Sequence, residues 1–270
     1  MHLLVRSWNL FHGNAAEPER EAHLDEMVGL ATADVPDVLC LQEVPVWALP
    51  HLESWSRMIA VGEVAARPSL GPLPLPAEVG RRLTHIHHGI LRSAFSGQAN
   101  AILVRPGLGP LERQAIVLNA RSFRRLRARE LRLDLITRLA WARERRVCQV
   151  VRLGLPDRRT ALVANLHASR SADPRIPDAE VLRAACFADA LARPGELLVL
   201  AGDFNVRRED SRTLAELTGP DWGFSDVGPG IDHVLVRGGT VSPHEVWSAD
   251  RRRLDGRVLS DHAPVEVVVS

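Results

Sequence analysis

Asp203 and Asn205 stand two positions apart in Gly202-Asp203-Phe204-Asn205, directly after the apolar run Leu197 to Ala201. Side chains two apart at a strand end leave on the same side, so a carboxylate and an amide converge on one small volume. The carboxylate can orient and deprotonate a water, while the amide donates to a phosphate oxygen without adding negative charge. Ser260-Asp261-His262 sets another carboxylate beside an imidazole, and Ser7-Trp8-Asn9 and Leu41-Gln42-Glu43 complete a set of four polar islands. Hard oxygen donors in small number suit Mg2+ or Mn2+, which bind through one or two carboxylates plus substrate oxygens. Zinc would demand more His or Cys. The chemistry these parts point to is metal-assisted cleavage of a phosphoester.

Each island needs a strand end to hold it. Leu3 to Val5, Val38 to Leu41 and Leu197 to Ala201 have the length and the Val/Leu content of buried strands, and α/β folds keep their chemistry at the carboxyl ends of such strands. Leu24, Met27, Val28 and Ala31 repeat at helical spacing after Glu17-Pro18, so the opening unit reads strand, helix, strand and sets Asn9 and Glu43 on neighbouring strand ends. Trp47 to Ile59 and Glu78 to Leu91 read as two further helices, the second with Val79, Leu83, Ile86 and Ile90 on one face, and Arg67 to Pro76 as a Pro-rich loop between them. Strands are expected at Ala101 to Val104, Ala115 to Leu118, Val147 to Leu153 and Ala161 to Leu166, then a helix over Asp178 to Leu191. The last strands are Ile231 to Val236, Pro243 to Trp247 and Ala263 to Val269. Many strands with few helices suggest two packed sheets flanked by helices.

A chain of 270 residues, 46% of them hydrophobic, suits one large globular domain over 1–270, because islands from both ends belong to one site and no linker divides them. A net charge of +1 excludes a globally basic nucleic-acid binder but leaves room for local basic surfaces. All 34 basic residues are Arg, a side chain that grips phosphate bidentately. Cys40, Cys148 and Cys186 are odd in number and lie in apolar segments, which argues for buried thiols rather than a disulfide framework or zinc knuckle. No leader is evident and no apolar stretch approaches the ~20 residues of a membrane span. The expectation is a cytoplasmic monomer without an obligate protein partner.

In order along the chain, Trp8-Asn9, Gln42-Glu43, Asn165-Leu166-His167, Gly202-Asp203-Phe204-Asn205, Ile231-Asp232-His233 and Ser260-Asp261-His262 resemble the endonuclease/exonuclease/phosphatase superfamily, the DNase I-like metal-dependent phosphoesterases. The resemblance spans nearly the whole chain. It implies a four-layer α/β/β/α sandwich of two mixed sheets flanked by helices. It also implies roles: Glu43 as principal metal ligand supported by Asn9 and Asp261, Asp203 holding the attacking water, Asn205 binding the scissile phosphate, and His262 contacting that phosphate with Asp232 fixing its ring. His167 matches a second active-site histidine, and Asn100, in a run that opens a strand in such proteins, is expected to face the substrate cleft.

Plainer readings stand beside these. Asn9 and Asn165 can cap strands or turns, and Asp232 can start a strand. His85, His87 and His88 alternate inside a helix-like segment, so they are read as exposed and left out of the site. Arg121 to Arg146 holds ten arginines against Glu130, Asp134 and Glu144, with Leu126, Leu131, Leu135 and Leu139 at amphipathic spacing. It reads as a variable insertion around 119–146, either a solvated face or a platform for backbone phosphates, from which Arg143, Arg145 or Arg146 can approach the cleft. The leading expectation is a Mg2+-dependent nuclease acting on DNA or RNA. The alternatives are a phosphatase of a small phosphorylated or lipid-derived molecule and, more remotely, a catalytically silent binding module.

Overall fold

The computed structural model describes residues 2–70, 73–86, 88, 95–225 and 228–270. Two sheets carry it. The first contains β1 (Leu3–Asn9), β2 (Val38–Val44), β3 (Ile59–Ala66), β6 (Gln98–Val104), β12 (Glu245–Val246) and β15 (Val265–Val269), in the spatial order β12-β15-β1-β2-β6-β3. The second contains β7 (Pro110–Val117), β8 (Val147–Gly154), β9 (Thr160–His167), β10 (Leu197–Asp203) and β11 (Asp232–Arg237), in the order β11-β10-β9-β8-β7. Two small ladders, β4 (Ser69–Leu70) with β5 (Leu73–Pro74) and β13 (Arg253–Leu254) with β14 (Arg257–Val258), decorate the loops.

The period-2 alternation of the apolar runs explains the layering. On β2, Val38 and Cys40 join Val5 and Ile102 in the core between the sheets, against Val151, Val163, Val199 and Val234. Leu39 and Leu41 point the other way, onto Met27, Val28 and Ala31 of α1 (Leu24–Thr32) and Leu52 of α2 (Leu52–Ser56). On β10, Val199 and Ala201 face the inter-sheet core. Leu198 and Leu200 face Val181, Ala185 and Ala188 of the helix Arg175–Leu191. Helix, sheet, sheet, helix is therefore the order of the layers, and the expected α/β/β/α sandwich of two mixed sheets is the fold.

Several local expectations need correction. The helix expected over 47–59 is a 3-10 turn, Val46–His51, holding Pro50, followed by the single short α2, and β3 begins at Ile59. The helix expected from Glu78 ends early, as α3 (Ala77–Thr84), with Val79 and Ile86 exposed; Ile90, Leu91 and His87 lie outside the described residues. The Arg-rich segment forms two helices, α4 (Arg121–Glu130) and α5 (Leu135–Ala142), because the Asp134 side chain accepts the Thr137 N–H and starts a new helix. The helix Arg175–Leu191 is α6, and Arg212–Leu217 is α7.

Candidate active site

The topology collects the polar islands at one edge. β1 and β2 run parallel with Asn9 opposite Gln42, and β9 and β10 run parallel with His167 opposite Asp203. β11 runs antiparallel to β10, which sets Asp232 across from Asp203, and β15 returns beside β1 so that Asp261 and His262 arrive just before its first residue. Glu43 sits where the pairing of β2 with β6 shifts register, in a left-handed backbone conformation (φ 53°). A bulge there re-aims its side chain. Phe11, His12, Asn205 and Ser260 are also left-handed, and such strain in non-glycine residues persists only where surrounding structure enforces it. Gly202 (φ 141°) is required, since a Cβ there would stand 1.9 Å from the Leu166 carbonyl oxygen.

A cleft of about 460 Å³ is lined by Glu43, His167, Asp203, Asn205, Asp232, Asp261 and His262, with Phe11, Arg146 and Arg170 in its wall. Asp203 is buried. Its Oδ2 accepts from Asn9 Nδ2 (2.9 Å) and its Oδ1 from the Asn205 backbone N–H (2.9 Å). Burial, and then the charge of Asp232, push its carboxyl up to about 7; His262 and the Asn9 hydrogen bond pull the other way. His262 Nδ1 donates to Asp232 Oδ2 at 2.7 Å, and its Nε2 lies 3.9 Å from both Asp203 Oδ2 and Asp261 Oδ1. Burial alone would lower this imidazole, but the hydrogen bond and charge of Asp232, with Asp203 and Asp261, outweigh it and raise the ring to about 10. Ser260 ties the segment to β1, accepting the His262 N–H (3.0 Å) and donating to the Asn9 carbonyl (2.7 Å).

His167 is the opposite case. Burial, followed by the charge of Arg146, drives it well below the ordinary histidine range. Arg146 Nη1 lies 2.9 Å from its Nδ1, and Gln98 Nε2 also approaches Nδ1 at 2.9 Å. Arg146 Nη1 also lies 3.0 Å from Nε2, which stands 3.5 Å from Asp203 Oδ2 and 3.7 Å from Glu43 Oε1. With Nδ1 assigned as the acceptor for Gln98, the ring proton falls on Nε2, and His167 is neutral. Gln98 and His12, whose Nε2 is 3.2 Å from Glu43 Oε2, went unnoticed in the sequence because neither belongs to a polar island.

Two asparagines and one histidine differ from their sequence reading. Asn100 does not reach the cleft: it is fully buried and its Nδ2 donates to the Val147 carbonyl (3.2 Å) in the other sheet. Asn165 bridges the sheets too, donating to the Leu41 and Ala101 carbonyls (both 2.9 Å) and accepting from Gln42 Nε2 (2.8 Å). Its position on β9, one pleat before His167, points it into the inter-sheet layer. His88 is buried rather than exposed, with Nε2 against the His12 carbonyl at 2.5 Å.

Ligand atoms of Asp203, Asp232 and His262 all lie within 4.8 Å of one another, and buried Asp232 Oδ1 has no hydrogen-bond partner. A His262 ring held charged by Asp232 offers no lone pair, so the donors that suit a hard cation here are the carboxylate oxygens. The Asp203, Asp232 and His262 grouping differs from the Glu43, Asn9 and Asp261 set that the resemblance implied. Glu43 and Asp261 do line the cleft, but Asn9 is buried, with Oδ1 accepting the Phe11 N–H (2.9 Å) and Nδ2 given to Asp203.

A model described as the Endonuclease/Exonuclease/phosphatase family matches residues 7–262. Among solved structures, an endonuclease/exonuclease/phosphatase from Beutenbergia cavernae is similar at TM-score 0.67 and 16% identity, over 99% of this chain and 71% of that one. One from Bacteroides vulgatus gives 0.67 at 13% identity, over 100% and 99%. TDP2 from Caenorhabditis elegans gives 0.62 at 15%, over 100% and 74%. At these identities the likeness is one of fold. No curated protein matches the sequence.

Proposed function

The chain belongs to the endonuclease/exonuclease/phosphatase family, and from that premise we propose that it is a divalent-metal-dependent phosphodiester hydrolase cutting nucleic acid by in-line attack of a water held on Asp203. The observation that carries the reading is the line of groups converging on one point: Asp232 Oδ2 to His262 Nδ1 at 2.7 Å, with His262 Nε2 turned toward Asp203 Oδ2. Asp203, raised to about 7, is matched to accept a proton from water near neutral pH. His262, protonated over the same range, presents a cation to the phosphoryl group as negative charge builds there. Asn205 gives one amide hydrogen to the Ala168 carbonyl (3.1 Å) and keeps the second for a phosphate oxygen. Neutral His167 donates through Nε2, and Arg146 and Arg170 supply fixed positive charge in the cleft wall. A Mg2+ or Mn2+ ion held by Glu43 and Asp261 would supply Lewis-acid neutralisation of the same oxygens.

Nucleic acid is favoured over a small phosphomonoester because the wall beside the reacting centre is arginine-rich and open, rather than closed around one small group. The test is hydrolysis of bis(p-nitrophenyl) phosphate, supercoiled plasmid, single-stranded RNA and phosphoinositides with Mg2+ or Mn2+. Asp203→Ala should lower diester hydrolysis by about 10²–10⁴-fold, the range for loss of a general base, with an unchanged circular dichroism spectrum. Undiminished turnover would refute the assignment of Asp203, and cleavage restricted to monoesters would replace the diester reading.

A further inference from the structure

Two larger hollows lie beyond the catalytic cleft. Arg146 and Arg170, in its wall, also line a recess of about 630 Å³ beside α5, and Arg143 of that recess also lines a third hollow of about 980 Å³ between the edge strands β3 and β7. Shared wall residues set the three side by side, a track of adjoining hollows from the reacting centre to the open edges of both sheets.

Positive charge along this track is left unspent. Arg170, Arg143, Arg113 and Arg67 are exposed, and among the described residues none of the four guanidinium groups makes an ion pair or hydrogen bond. The acids nearby are mostly engaged: Asp134 caps α5, Glu144 holds Arg146 and Asp173 holds Arg175, leaving Glu63 on β3. Buried arginines such as Arg6 and Arg152 are saturated by carboxylates, whereas these four stand exposed along a recess. Unpaired guanidinium groups strung along a recess complement a ligand with repeating phosphates. Among the described residues the two larger hollows hold one aromatic ring, Trp141, which is buried with its Nε1 donated to Glu180, so neither hollow offers a ring face for bases to stack on. A recess of about 630 Å³ has room for a short stretch of one strand and is too small for a duplex.

We propose that this track holds the part of a single polynucleotide strand that lies to one side of the scissile phosphodiester, through arginine–phosphate contacts and without base recognition. The inference rests on the nuclease reading and adds a strand-binding surface to it. Exposed Leu126, Leu135, Ile136 and Leu139 on α4 and α5 make an anionic membrane the rival occupant.

The test is fluorescence anisotropy of labelled oligothymidylate in EDTA across a salt series, with anionic vesicles in parallel. Four contacts predict a log–log salt slope near −2.8 for the wild type, at about 0.7 per phosphate. Arg67→Ala with Arg113→Ala should bring it to about −1.4 and leave bis(p-nitrophenyl) phosphate turnover unchanged. The control pair Arg158→Ala with Arg212→Ala, which lines none of the hollows, should keep the wild-type slope. An unaltered slope in the first pair, an equal loss in the control pair, or binding to vesicles but not to the strand each overturns the proposal. If the diester is still hydrolysed, only the track is lost; if the wild type hydrolyses no diester, the catalytic reading fails as well.

Discussion

Strand β1 carries buried polar groups of two kinds, and they are built in opposite ways. Arg6 is fully buried, yet each of its nitrogens has an acceptor: Nε on Glu266, Nη1 on the Ala31 carbonyl and Asp34 Oδ1 (2.8 Å), Nη2 on Asp34 Oδ2 (2.7 Å). Its guanidinium lies 4.5 Å from the Trp247 ring centroid, and Arg251 covers the same ring at 3.8 Å. The Arg6 hydrogen bond holds the Asp34 carboxyl below its ordinary range. Around Asn9 the opposite holds: Asp203, Asp232 and Glu43 crowd like charges together, and Asp203 is pushed up, by burial first and by Asp232 next. A cluster that satisfies its own charges is a structural joint. One in which burial and neighbouring carboxylates raise Asp203, with His262 as its charged partner, has room for more from outside: a proton, a cation or a substrate.

The largest expected effect breaks the comparison if it fails. Arg6→Ala takes the buried cation from Glu266 and Asp34 and leaves them only the more exposed Arg251, and removal of one partner from a buried pair costs about 3–5 kcal/mol. Urea denaturation should show that loss, while turnover per folded molecule stays near wild type. A loss below about 1 kcal/mol, the scale of a surface pair, would place Arg6 among ordinary surface charges.

Next comes the charge of His262 itself. In the metal-free protein its ring should titrate near 10, followed by NMR, and Asp232→Asn should bring it down, since the burial that remains acts to lower it. The sign for stability is set by the raised folded value. The contribution is fully present below the unfolded value of about 6.5 and is lost as pH climbs through about 10. Asp232→Asn should therefore flatten the decline of stability over that window. A wild-type ring that titrates near 6.5 would mean that Asp232 does not hold it charged.

How much of this was legible in the sequence depended on what each signal reports. Buried strands announce themselves by short Val/Leu runs, so the ends bearing Glu43, Asp203 and His262 could be found, and register then follows from parallel pairing. Periodicity says that a face exists and not what covers it: Leu126, Leu135 and Leu139 have helical spacing but stand exposed, and the helix foreseen over 47–59 gives way to a 3-10 turn at Pro50. Asparagine is the most ambiguous letter. Asn9, Asn100 and Asn165 have the same side chain and all lie on the inter-sheet face, yet Asn9, the last residue of β1, orients Asp203 while the other two stitch the sheets together, a distinction set by what stands opposite each and not by its letter. Gln98 and Arg146 meet His167 from other strands and loops, a contact that only tertiary structure creates.

The smallest effect sharpens the comparison most. An open carboxylate cluster should be stabilised by a divalent cation and a closed one should not. At ten times its Kd, Mg2+ should add about 1.4 kcal/mol, which for a chain of this size raises Tm by about 3–5 °C relative to EDTA. Glu43→Gln removes a negative charge that helps to raise Asp203, so the metal-free variant should melt at or above the wild type, and most of the Mg2+ increment should vanish. Asp34→Asn should do the reverse: it weakens the Arg6 joint and lowers Tm equally with Mg2+ and with EDTA, because its lost partner is internal. Differential scanning calorimetry of the three proteins in both buffers reads all of this at once. An undiminished Mg2+ increment in Glu43→Gln would take Glu43 out of the cation site, and an increment lost in Asp34→Asn would erase the division between the two clusters.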